Sequence, residues 1–169
     1  MKKLCLLLFC VLIATGLPAQ NLVSNGDFSI KAPGSGCLTG GTGFFHGRPD
    51  NWWDETTKPL NFMPRGESPD YFHPCAPTGT FSPGNSGKGC ADPKTGSAYV
   101  GILAWTKNHP DVSAEYIYHE LATPLTKNQT YYIEFWVSAA DNTNFNYFVA
   151  SLGMYLTNNT NDFGAGINI

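Results

Sequence analysis

Charge is scarce in this chain. Asp, Glu, Lys and Arg make up 14% of its 169 residues, 13 acidic against 10 basic, for a formal net charge of −3. A chain so poor in Lys and Arg lacks the positive field that neutralises phosphates, so no nucleic acid partner is expected. Helical patterning is missing as well. Nowhere after residue 20 do apolar residues recur at three- and four-residue spacing over an ordinary helix length. The longest apolar run, Leu4 to Ala14 (LCLLLFCVLIA), is far short of the ~20 residues that span a bilayer, so no membrane span is expected. No Cys-x-x-Cys pair of a zinc or redox site is present, no H-E-x-x-H and no G-x-S-x-G elbow.

What the first 20 residues do contain is a charged start (Lys2, Lys3), the apolar run, and a break at Thr15 and Gly16 before Leu17-Pro18-Ala19-Gln20. This is the layout of a secretory signal peptide, with cleavage after Ala19 or Gln20. Residues 21–169 then form a single domain of 13 acidic and 8 basic residues. Cys5 and Cys10 leave with the signal segment, and Cys37, Cys75 and Cys90 remain. In an oxidising compartment three thiols allow one bridge and leave one over, and spacing alone does not choose the pair.

Glycine (18) and proline (12) are abundant and aromatics reach 14%, a strand-and-turn profile. Asn21 to Ser29 (NLVSNGDFS) reads as a short first strand with a turn or bulge at Asn25-Gly26. Residues 31–96 show no sustained period, yet Phe44, Phe45, Trp52, Trp53, Tyr71, Phe72 and Phe81 argue that they pack. A strand is expected near Asn51 to Asp54. Four more follow, over Ser97 to Trp105, Glu115 to Leu121, Thr130 to Ser138 and Tyr147 to Thr157. In the Thr130 run Tyr131, Ile133, Phe135 and Val137 alternate with Tyr132, Glu134, Trp136 and Ser138, and the first set is the expected core face. In the last run Phe148, Ala150, Leu152, Met154 and Leu156 make the apolar side. Two such faces packed together give an all-β, two-sheet antiparallel sandwich. Six strands fall short of the roughly eight of a jelly roll, and the chain closes on Phe163 to Ile169 without a polar fade-out. The sequence is therefore expected to be the first part of a longer protein, with downstream domains on the same polypeptide.

Gly84-Asn85-Ser86-Gly87-Lys88-Gly89 lacks the loop length and the Ser/Thr of a P-loop. The 13 carboxylates present no pair that sequence alone sets across a cleft. Gly26-Asp27-Phe28-Ser29 only weakly matches the serine of secreted esterases. His46, His73, His109 and His119 have no metal-ligating spacing. The expectation is a non-catalytic domain. One loop concentrates chemistry: Pro69-Asp70-Tyr71-Phe72-His73-Pro74-Cys75-Ala76. Proline stiffens it at both ends, and Asp70, Tyr71 and His73 are candidates to hydrogen-bond a polyhydroxylated ligand. The competing role has Tyr71 and Phe72 filling space beneath the loop while Asp70 caps a turn. Trp53 and Trp105 are candidate platforms for a sugar ring, with burial in the core as the alternative. Trp136, with Tyr132 and Glu134 on the side away from the expected core, is the tryptophan hardest to assign to a core.

The opening Asn21-Leu22-Val23-Ser24-Asn25-Gly26-Asp27-Phe28 resembles that of carbohydrate-binding-module-like jelly rolls of the galactose-binding-domain-like superfamily. The series NLVSNGDF, PDYFHPCA, TGSAYVGI, EYIYHEL, PLTKNQTYYIEFWVSAAD and LGMYL, over nearly all of residues 21–157, is similar to a family of uncharacterised secreted bacterial domains at the N-terminus of cell-surface proteins. The resemblance implies sorting-signal, gliding-associated or peptidoglycan-binding partner domains, and further strands beyond Ile169. It also implies that Cys37 pairs with Cys75, since both fall in family-like segments and Cys90 does not, with Cys75 to Cys90 as the alternative. In related modules a structural Ca²⁺ lies near the opening acidic position. Ser29 stands where the pattern has Glu, which leaves Asp27 as the oxygen ligand. The expected function is an extracellular, non-catalytic module that binds glycan or another cell-surface polymer. The alternative is a structural or adhesion domain with no small ligand.

Overall fold

The computed structural model describes residues 20–37, 45, 48–54, 69–84, 91–103, 115–140 and 152–158. Among them there is no helix, and the fold is all-β. Residues 1–19 of the expected signal segment, Cys90 and Trp105 lie outside the described residues. Four short strands make two antiparallel ribbons. β1 (Trp52–Asp54) pairs with β4 (Ile117–His119), setting Trp52 opposite His119, Trp53 opposite Tyr118 and Asp54 opposite Ile117. β2 (Asp70–Phe72) pairs with β3 (Tyr99–Gly101), setting Asp70 opposite Gly101, Tyr71 opposite Val100 and Phe72 opposite Tyr99. β1, β3 and β4 fall inside segments whose aromatic and β-branched content predicts strands.

The core gathers under the second ribbon. Phe45, Tyr71, Phe72, Ala76, Phe81 and Ala98 are buried together, with Phe28, Trp52, Tyr99, Val100 and Ile117 packed against them. The Phe72 and Tyr99 rings stack across the ribbon at 4.5 Å, and Gly101 leaves room for the edge of Phe72. A cross-strand aromatic pair of this kind is the ordinary unit of sheet stabilisation. Cys37 and Cys75 are joined by a disulfide with Cα atoms 5.5 Å apart, closing a separation of 38 residues. That pairing rules out a Cys75 to Cys90 bridge. In the chain-entropy picture a loop of this size gains about 4 kcal/mol from its closure.

Three expectations are corrected. Asn21 to Ser29 is a series of turns and no strand. Asn25 and Phe28 adopt positive φ (51° and 58°), a backbone that cannot continue a ladder. Asn25 tolerates it because its side chain replaces the missing ladder: Nδ2 donates to the carbonyls of Ile30 and Asp50, both at 2.9 Å, and Oδ1 accepts from Ile30 N–H at 2.9 Å. Residues 69–76, expected to form a loop, contain β2, whose three residues between Pro69 and Pro74 are too few to show a period. The third correction concerns Thr130 to Ser138. Its Ile133, Phe135 and Val137, assigned to the core face, are exposed, and the segment joins no ladder among the described residues. Leu152, Met154 and Leu156 are exposed in the same way. Alternation gives a strand two unlike faces, but burial needs a second layer against one of them. Neither segment has one among the described residues.

Candidate functional site

The turn segment, β2 and the 94–98 loop converge around Asp27, Tyr71 and His73, and their polar groups are spent on one another. Tyr71, 1% exposed, donates its hydroxyl to Phe28 O at 2.7 Å. Burial, with the Asp27 charge adding, raises its pKa and keeps it a donor. His73 is committed at both ring nitrogens. Nδ1 accepts from Cys75 N–H at 3.1 Å, so Nε2 carries the proton and donates to Ser29 O at 3.2 Å. Burial lowers its pKa below 6.5, against the raising effect of the Ser29 bond, and Lys31 lowers it further. Asp27 accepts from Ser29 at both carboxylate oxygens, Oδ1 from the N–H and Oδ2 from the hydroxyl. Ser97 N–H donates to the Ser29 Oγ at 2.8 Å. Gly96, at φ +66°, lies so close that a Cβ there would run into the Asp27 carboxylate.

This arrangement does not fit a calcium cage. Ca²⁺ takes six to eight oxygens, whereas among the described residues no three His, Cys, Asp or Glu side chains gather. The Gly96 backbone crowds Asp27 from one side. Asp27 acts here as a local brace for the turn that carries Ser29.

Of the candidate ligand residues, Tyr71 is part of the core and His73 part of the loop's internal bonding. Asp70 is half-buried at the start of β2, opposite Gly101. Trp53 lies on β1, a ribbon away, stacked on Tyr118 with centroids 5.8 Å apart and planes at 24°. The structure therefore places Asp70 and Tyr71 on β2 with His73 directly after it, and Trp53 on β1. Trp52, its neighbour, is a fastener: Nε1–H donates to Asn25 O at 2.9 Å, and the indole packs on Phe28 and His119.

An exposed set of side chains stands elsewhere, on segment 130–138. Tyr132 is 85% exposed and Trp136 65%. Between them Glu134 accepts a hydrogen bond from the Tyr132 hydroxyl through Oε2 at 3.0 Å. That bond, with the carboxylate's charge, raises the Tyr132 pKa and holds the phenol as a donor. The Lys94 ammonium lies 4.2 Å from the Trp136 ring centroid. At an exposed site such a cation–π contact is worth about 0.5–1 kcal/mol. Tyr132 and Trp136 are four residues apart in the chain, on either side of Glu134. Two flat rings, a carboxylate acceptor and an ammonium donor thus face solvent in a row. The Tyr132–Glu134 bond joins two residues that alternation expects on one side; the Lys94 contact with Trp136, from 42 positions earlier in the chain, had no local signal.

No family model matches the chain, and comparison with curated proteins and with solved structures yields no match. No helix among the described residues is long and apolar enough to cross a membrane. The disulfide is compatible with an extracellular protein.

Proposed function

We propose that the protein is a secreted, non-catalytic binding module of the jelly-roll β-sandwich type that holds a glycan or another cell-surface polymer. The observation that carries this reading is the exposed row Tyr132, Glu134 and Trp136. Aromatic faces stack on the apolar side of a pyranose ring, and a carboxylate between them accepts from ring hydroxyls. Such a surface offers affinity and direction without a nucleophile or an acid–base pair. Titration of the secreted protein against a saccharide array, with Trp136→Ala as the control, is the test. Binding should weaken by about 1–3 kcal/mol in the variant with no change in melting temperature. Binding that survives Trp136→Ala unchanged, or no saccharide bound at millimolar concentration, refutes it.

A second reading is favoured by the other side of the same segment. Ile133, Phe135 and Val137 are 48%, 51% and 63% exposed, a stripe suited to packing against a further layer rather than to a soluble ligand. On that reading the domain is a structural or adhesion unit of a cell-surface protein. Phe135→Ser would then disrupt its assembly while Trp136→Ala would not.

A further inference from the structure

We propose that Lys94 sets the charge preference of the Trp136 platform, so that the glycan held there carries a carboxylate, as a uronic acid does; this rests on the binding-module reading and deepens it. The Lys94 ammonium stands 4.2 Å over an indole that is otherwise 65% exposed. A neutral pyranose reaches that face of the ring only by displacing the ammonium and forfeiting the cation–π contact. A sugar bearing a carboxylate keeps the ammonium in place and exchanges the contact for an ion-paired hydrogen bond, while its ring stacks beside it. Glu134, two residues back, has its Oε2 hydrogen-bonded to Tyr132 and is an acceptor only. It repels a second acid there and favours sugar hydroxyl donors. The row therefore reads, from Tyr132 to Trp136, as one acceptor subsite followed by one cationic subsite. Tyr132 and Trp136 lie four positions apart with Glu134 between them, so the ligand we infer is an oligosaccharide with its acidic residue at the Trp136 end. The excess of 13 acidic over 8 basic residues in 21–169 opposes a uniformly acidic polymer and favours a chain in which acidic sugars alternate with neutral ones.

The test titrates the secreted protein with two oligosaccharides of equal length, one with uronic acid residues alternating with neutral sugars and one wholly neutral. Each is measured at low and at physiological ionic strength, in the wild type and in Lys94→Met, Lys94→Arg and Trp136→Ala. The acidic ligand should bind roughly tenfold tighter than the neutral one at low salt, the margin shrinking as salt screens the pair. Lys94→Met should erase that margin and its salt dependence, and Lys94→Arg should restore it. Equal affinity for both ligands in the wild type, or a margin untouched by Lys94→Met, overturns the proposal. If the neutral ligand alone binds, and Trp136→Ala abolishes it, the charge preference is wrong and the binding module stands. If neither ligand binds, both fall. Melting temperatures of all four proteins keep a folding defect from being mistaken for lost recognition.

Discussion

Tyr71 and Tyr132 each sit beside other aromatic residues, yet one is 1% exposed and the other 85%. Around Tyr71 the chain is fastened several times over. β2 is laddered to β3, the Cys37–Cys75 bridge closes the flank, and the Asn25 amide and the His73 ring tie the turn segment down. Around Tyr132 the described residues offer no ladder, and the local bonds are those between neighbours, Tyr132 with Glu134 and Tyr131 with Thr126. Local pattern makes backbone extended; partners in another layer make it buried. The first region is accordingly held as a scaffold, and the second presents its side chains to solvent.

The comparison breaks most sharply at the core. Phe45, fully buried, should cost about 3–5 kcal/mol of stability when replaced by Ala, read from denaturant midpoints. The same truncation at Phe135 should cost under about 0.5 kcal/mol. Similar losses at the two would show that 130–138 is packed after all. Next comes the staple. Reduction, or Cys75→Ser, should remove about 4 kcal/mol by the chain-entropy estimate, with a lowered unfolding midpoint and unaltered saccharide binding by the folded fraction. A midpoint indifferent to reductant would contradict this.

Asn25→Ala should cost about 1–3 kcal/mol, because two carbonyls and one N–H lose their partner and Ala takes the residue's φ of 51° poorly. The expected readout is a lower melting temperature with Trp52 fluorescence shifted, since the indole N–H bonds to Asn25 O.

A subtler difference is in pH. Burial holds the His73 pKa below its ordinary 6.5, so the unfolded chain takes up a proton that the folded one resists. The contribution of neutral His73 is therefore fully present above about pH 6.5 and lost as pH falls toward the folded value. Midpoints measured from pH 8 to pH 5 should decline in the wild type and decline less in His73→Gln. Identical slopes would mean that the ring is not held neutral by its contacts. The smallest effect is expected at Trp136→Ala and Tyr132→Ala, which should leave the melting temperature within a degree or two.

How legible each region is follows from what kind of contact made it. β1, β3 and β4 lie inside runs that strand propensity marks, each opening on a pair of aromatic or β-branched residues, Trp52 and Trp53, Tyr99 and Val100, Ile117 and Tyr118. β2 is hidden between prolines, and its burial comes from Phe45 and Ala98, distant in sequence. The disulfide partner of Cys75 was visible only through resemblance, since three thiols leave the choice open. Asn25 shows itself in sequence as half of an Asn-Gly turn, but its bonds to Ile30 and Asp50 are tertiary. In the candidate loop the residue types suit a sugar site, but tertiary bonds turn Tyr71 and His73 to internal partners; in 130–138 alternation brings out Tyr132 and Glu134 as neighbours.

Hydroxyl-radical footprinting of the protein, with and without added saccharide, tests the division between scaffold and proposed binding row most directly, because it reads side-chain exposure residue by residue. The account predicts heavy modification of Tyr132, Phe135 and Trp136 and little at Phe45, Tyr71 and Phe72 in the free protein. Saccharide should protect Tyr132 and Trp136 and leave Phe135 unchanged. Protection that appears instead at Asp70 to Cys75, or a free protein in which Trp136 is already shielded, would contradict it.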